Sequence, residues 1–171
     1  MKPVVSIIMG STSDLGVMEE AAKLLNELEI PFEINALSAH RTPEKVAAFA
    51  SGAYDRGIRV IIAGAGGAAH LPGVIASMTA LPVIGVPINS SNSIDGWDSL
   101  LSILQMPPGI PVATVGVDAA RNAAILALQM LGTGDEAIYS KLIAFKEGLR
   151  KKIIQANEEL SGKARYPFRV G

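Results

Sequence analysis

The sequence predicts an α/β fold in which five parallel strands form a three-layer, doubly wound sheet, with one helix added at the C-terminal end. Three observations predict it. Short apolar runs alternate along the chain with longer segments of helical spacing. The runs are apolar nearly throughout, which is the pattern of strands covered on both faces. The turns that follow them are rich in glycine and small hydroxyl residues, and ligands of such sheets sit beyond the carboxyl ends of the strands.

The elements follow in order. Val4 to Met9 is an apolar run that fits a buried strand. Leu15 to Leu28 has helical spacing, with Met18, Ala21, Ala22, Leu25 and Leu28 on one face. Phe32 to Leu37 reads as a second strand. Thr42-Pro43-Glu44 opens a helix that runs to Gly57: Thr42 can cap it, Pro43 suits its first turn, and Glu44 complements its dipole. Ile58 to Ala63 is a third strand, followed by a glycine-rich loop and a helix from about Pro72. Pro82 to Val86 is a fourth strand. The polar loop Asn89 to Asp95 leads to a helix near Trp97 to Leu104. Val112 to Val115 is the fifth strand and Asp118 to Leu131 the helix after it. These units together match a flavodoxin-like architecture. A last helix spans about Asp135 to Leu160. Its residues Ile138, Leu142, Phe145, Leu149, Ile153, Ala156 and Leu160 draw one apolar stripe.

A chain of 171 residues suits one domain, here residues 1–171 with a core over about 4–131. Hydrophobic residues make up 49% and charged residues 18%, so much of the chain is expected to be buried, in subunit contacts as well as in the core. The net charge is −1 and there is no basic block, which speaks against nucleic acid and acidic membranes as partners. There is no cysteine, which excludes disulfides, thiolate metal sites and a catalytic thiol. The most apolar region, Val60 to Met78, is broken by His70, Pro72 and glycines, unlike a membrane helix. The N-terminus lacks a signal-peptide layout, and the expected location is the cytoplasm. Two histidines without H-x-x-x-H spacing offer no metal site, and no G-x-S-x-G elbow supports a serine hydrolase.

Three loops that follow strands hold the candidate chemistry. Gly10-Ser11-Thr12-Ser13-Asp14 places small hydroxyls at a helix start, which suits either an ordinary helix cap or an anion. Asp14 would repel a phosphate and suits ribose hydroxyls better, since a carboxylate accepts from both. Ser38-Ala39-His40-Arg41-Thr42-Pro43 carries a guanidinium fork matched to phosphate and an imidazole that titrates near neutrality. His40 is a candidate proton carrier, and a loop histidine beside a surface arginine is the other reading. The third loop runs from Gly64 to Gly73, with Gly64, Gly66, Gly67, Ala68, Ala69, His70 and Leu71 at its heart. Having little side-chain bulk, it lets a ligand approach the backbone, or it is simply a tight strand-to-helix turn. It is not a P-loop, because no Gly-Lys-Ser/Thr follows, and the acidic residue of a dinucleotide site is missing. His70 suits either a ligand or a bond to loop backbone. In Asp98 to Pro107 the Leu and Ile positions read as core and Met106 as filler.

Taken together, five strings carry a resemblance: I-M-G-S-x-S-D at Ile8–Asp14, S-A-H-R-T-P at Ser38–Pro43, I-A-G-A-G-G-A-A-H-L-P-G at Ile62–Gly73, L-P-V-I-G-V-P at Leu81–Pro87 and D-S-L-L-S-I-x-Q-M-P at Asp98–Pro107. In this order and spacing they resemble the PurE family over about Val4 to Leu131. The second and third are similar to class I, the N5-carboxyaminoimidazole ribonucleotide mutases of purine biosynthesis. Class II relatives instead carboxylate aminoimidazole ribonucleotide with carbon dioxide.

The resemblance implies a reaction without metal or cofactor, in which the carboxyl group leaves the exocyclic nitrogen as carbon dioxide and is recaptured by the adjacent ring carbon. It implies that His40 is the proton shuttle, that Ser11, Ser13, Ser38 and Arg41 contact the substrate, and that Asp14 holds the ribose. The Gly64–Leu71 loop would confine carbon dioxide. It further implies a homo-octamer with sites near subunit contacts. Asn89–Asp95 departs from the family pattern in being more polar, and Val115–Ala123 in being shorter. The competing expectations are the class II carboxylase and a non-catalytic flavodoxin-like binding domain. A response regulator would need acidic residues where Gly10-Ser11 and Gly64-Ala65 stand. A flavin carrier would need more loop aromatics than Trp97.

Overall fold

Residues 2–163 are described in the structure, a computed structural model. Its strands are β1 (Val5–Met9), β2 (Phe32–Ala36), β3 (Val60–Gly66), β4 (Val83–Ile88) and β5 (Ala113–Thr114). All pair in parallel, in the order β2-β1-β3-β4-β5. The helices are α1 (Leu15–Glu27), α2 (Pro43–Ser51), α3 (Ala53–Arg56), α4 (Leu71–Ala76), α5 (Trp97–Leu104), α6 (Ala120–Gly132) and α7 (Glu136–Lys163). The expected five-stranded, doubly wound sheet is therefore the one observed. Among the described residues no helix is long and apolar enough to cross a membrane.

Successive residues of the inner strands point to opposite faces and feed two cores. Val5, Ile7 and Met9 join Ile62, Ile84 and Val86 under α1 and α6. Ile8, Ile61, Ala63 and Val83 join Val46, Phe49, Ile75 and Ile103 of the helices on the other face. The edge strand β2 differs: Ile34 is exposed, and Glu33 and Asn35 are half-buried. Its Glu33 Oε1 accepts from Ser6 Oγ at 2.9 Å and from Arg56 Nη2 at 3.2 Å, so the polar side chains of this edge are tied down.

Several element limits differ from the sequence reading. The helix expected from Thr42 to Gly57 breaks at Gly52 into α2 and α3, and Gly57 ends α3 with φ 104°, a value that favours glycine. Thr42 does not cap α2 with its side chain: its Oγ1 donates to the Ser38 carbonyl and accepts from the Ser38 N–H, each at 3.1 Å. The hydroxyl thus closes the loop before the helix rather than the helix end. Helix α4 lasts only six residues, and β5 only two. Asp118 precedes α6 in a left-handed turn with φ 55°, and its Oδ1 accepts from Asn89 N at 3.0 Å. Position 1 and the tail after 163 lie outside the described residues.

Helix α7 has 28 residues, which corresponds to about 42 Å of helix. Its first half docks on its own chain: Leu142 is buried, Ile138 and Phe145 pack against the α1–α6 core, and Lys141 Nζ donates to the Leu28 carbonyl at 2.6 Å. Its second half leaves Leu149, Ile153, Ile154 and Leu160 exposed.

Candidate functional site

The register of the sheet brings four strand ends to one edge. Met9 pairs with Ala36 and with Gly64, and Gly66 pairs with Ile88. The loops after β1, β2, β3 and β4 therefore leave the sheet side by side and enclose a cleft of about 370 Å³. This is where an open α/β sheet presents ligands, at the point where the strand order reverses between β1 and β3.

From the first loop, Ser11 Oγ accepts from the Ser13 N–H at 3.3 Å and caps a 3-10 turn over Thr12–Asp14. That turn carries Asp14 into the cleft at 7% exposure. Burial holds the Asp14 carboxyl above the ordinary aspartate range, and the Ser13 hydroxyl, 3.3 Å from Oδ1, pulls it part of the way back. The capping and ligand readings of this loop are compatible: Ser11 does the former and still lines the cleft.

From the second loop, Ser38 Oγ accepts from Arg41 N at 3.2 Å and from Arg41 Nε at 3.3 Å, and Arg41 Nη2 donates to the Gly10 carbonyl at 3.3 Å. The guanidinium is thus aimed by Ser38 across to the first loop. Among the described residues it forms no ion pair, so its charge is available to an anion. His40 Nε2 lies 2.7 Å from His70 Nδ1, and the rings meet edge to face with centroids 4.9 Å apart. Two imidazoles at that distance share one N–H, whichever of them carries it. The side-chain partner of His70 is therefore another imidazole.

The third loop divides. Gly66, Ala68, His70 and Leu71 line the cleft, whereas Gly64, Gly67 and Ala69 lie behind its wall. A Cβ on Gly64 would run into Met18 Sδ and stand 3.0 Å from Ile88 Cδ1. Its lack of a side chain thus serves packing beneath the site. Gly67 has φ 61°, which turns the chain there.

Three residues that the sequence reading did not single out, Ser90, Ser91 and Asn92, complete the fourth wall. The signal that points to them is positional: their loop follows β4, as the other walls of the cleft follow β1, β2 and β3. A wider apolar hollow of about 770 Å³ at the root of α7 is lined by Tyr139, Leu142 and Ile143 among others, without a converging set of imidazole, guanidinium and carboxylate groups. The chemistry lies in the smaller cleft. Among the described residues no group of three or more His, Asp or Glu stands together as a metal would require.

Comparison with known proteins places most of the chain beside relatives of one family. The description of the AIR carboxylase family matches residues 4–152. The chain is 58% identical to an N5-carboxyaminoimidazole ribonucleotide mutase of Pyrococcus horikoshii, over 93% of this chain and 89% of that one. It is 50% identical to a phosphoribosylaminoimidazole carboxylase of Schizosaccharomyces pombe over 92% of its length, and spans 28% of that longer protein. A crystal structure of a Treponema denticola PurE2 variant superposes with a TM-score of 0.83 at 30% identity, covering 94% of this chain and 99% of that one.

Proposed function

We propose that this chain, which belongs to the AIR carboxylase family, is an N5-carboxyaminoimidazole ribonucleotide mutase of purine biosynthesis, forming 4-carboxy-5-aminoimidazole ribonucleotide. The observation that carries the reading is the meeting of His40, Arg41, Asp14 and the bare wall of Gly66 and Ala68 in one cleft. It combines a proton carrier, an anion fork, a buried carboxyl and a surface onto which a flat ring can slide. The near-full-length likeness to the Pyrococcus enzyme supports the same reading.

In this reading Arg41, Ser11, Ser13 and Ser38 take the phosphate and Asp14 the ribose hydroxyls. The exocyclic N–carboxyl bond breaks, its electrons return to nitrogen, and the nitrogen gains a proton from His40. Carbon dioxide is confined by the Gly64–Leu71 loop. The adjacent ring carbon, made nucleophilic by the amine, bonds to it, and His40 then takes the proton from that carbon. The proton lent in the first half returns in the second, so the cycle needs no added acid, base or nucleotide triphosphate. His70, hydrogen-bonded to His40, fixes the orientation of the ring that carries this proton. The protein acts in the cytoplasm as a homo-oligomer, an octamer by family resemblance, and the uncovered apolar residues of α7 support assembly.

The test supplies purified protein with N5-carboxyaminoimidazole ribonucleotide without ATP and follows carboxyl transfer to the ring carbon. A second arm supplies aminoimidazole ribonucleotide with bicarbonate. Turnover in the first arm is expected. Turnover in the second alone would instead make the chain a carboxylase, the name borne by the Schizosaccharomyces relative.

A further inference from the structure

The loop after β4 is built into the wall of the cleft rather than draped over it. Gly66 and Gly67 leave the space that two of its side chains occupy: a Cβ on Gly66 would collide with Ser90 Oγ, and one on Gly67 would stand 2.9 Å from Asn92 Nδ2. Ser90 Oγ donates to Asn92 Oδ1 at 2.7 Å, which orients the amide with its nitrogen toward Gly67. Among the described residues Asn92 Nδ2 donates to nothing. The loop is anchored at both ends, by Asn89 N on Asp118 Oδ1 at 3.0 Å and by Ile94 N on Asp98 Oδ1 at 3.0 Å, with Ser93 Oγ also donating to Asp98. Asn92, whose amide carries that donor, lines the cleft together with His40 and His70.

From this we infer that Asn92 is a carboxylate-holding residue, its amide N–H groups donating to an oxygen of the carboxyl group that moves. The assignment rests on the proposed mutase reading. Its chemistry fits a group that passes from carboxylate to neutral carbon dioxide and back. A fixed cation would stabilise both carboxylate states strongly over the neutral one and so raise the barrier between them, whereas a neutral amide holds the carboxylate by a hydrogen bond with a much smaller bias of that kind. Arg41 Nε and Nη2 are turned onto Ser38 Oγ and the Gly10 carbonyl, and Asn92 is the one side-chain amide among the described residues that line the cleft.

The experiment compares two ligands that differ only in that group, by calorimetric titration of the full chain with 4-carboxy-5-aminoimidazole ribonucleotide and with aminoimidazole ribonucleotide. Asn92→Ala is expected to weaken the carboxylated ligand about tenfold to a hundredfold, the worth of a hydrogen bond to a charged group, and the uncarboxylated one by less than about twofold. Asn92→Asp is expected to weaken the carboxylated ligand further, by repulsion. Equal losses for both ligands would show that Asn92 only shapes the loop and would overturn the assignment, as would no loss for either. Wild-type protein that binds neither ribonucleotide would overturn the mutase reading itself, and the assignment with it.

Discussion

His40 Nε2 and His70 Nδ1 stand 2.7 Å apart although thirty residues separate them in the chain. The loop after β2 supplies one ring and the loop after β3 the other, and the parallel pairing of both strands with β1 brings the two together. Replacing His40 by Asn removes the proton carrier while keeping a polar group of similar width. We predict that His40→Asn lowers kcat by about two to four orders of magnitude, with substrate affinity little changed. Steady-state rates alongside equilibrium binding check this, and near-normal turnover would remove His40 from the chemistry.

Arg41 and Asp14 are assigned to binding, so their loss is expected in affinity. Arg41→Ala should weaken the ribonucleotide by tenfold or more, about the value of a charge-assisted bond to phosphate. Asp14→Ala should reduce discrimination between the ribonucleotide and its 2′-deoxy form. Titration of each variant with both forms is the measurement; unchanged affinity in both would place the nucleotide elsewhere.

Burial holds the Asp14 carboxyl above its ordinary range. In the unfolded chain the group ionises at lower pH than in the folded one, so between the two values the folded state binds more protons and stability falls as pH rises. The full contribution is present below the unfolded value and lost above the folded one. Asp14→Asn cannot ionise and escapes that loss. Its melting temperature should exceed that of the wild type at neutral pH, and the gap should close on acidification below the ordinary aspartate range. A constant gap at all pH values would assign the effect to packing instead.

Gly64 lies beneath the cleft, where any side chain would press on Met18 and Ile88, both buried. Gly64→Ala should cost about 1–3 kcal/mol of stability, the usual penalty of overpacking. Adding Met18→Ala should return part of it, because the two substitutions meet at one place. Denaturant melts of the two single variants and the double variant give the coupling, and strict additivity would show that Met18 is not what the new methyl group meets.

The exposed half of α7 carries Leu149, Ile153 and Leu160 at 46%, 72% and 47% exposure. Truncation after Leu149 removes most of that surface while leaving Leu142 and Phe145 docked. A smaller assembly by light scattering is expected. Unchanged mass would place the subunit contacts elsewhere, around the exposed Ile94, Trp97, Leu101 and Leu104 for example.

The sequence alone determined the order of strands and helices, the doubly wound class and the loops that had to carry the site, because these follow from local periodicity and from where glycine and small hydroxyls interrupt it. It also singled out Asp14, His40 and Arg41, whose chemistry is legible from residue type in a loop that follows a strand. Strand and helix limits were less legible: Gly52 breaks a helix whose periodicity continues past it, and Thr42 turns its hydroxyl back to Ser38 rather than forward to α2. Only the tertiary structure decided which residues meet. The contact of His40 with His70, the interlocking of Gly66 and Gly67 with Ser90 and Asn92, and the packing of Gly64 on Met18 all join segments far apart in the chain. Their geometry depends on strand register and on the angle at which each loop leaves the sheet, and neither is written in any local pattern.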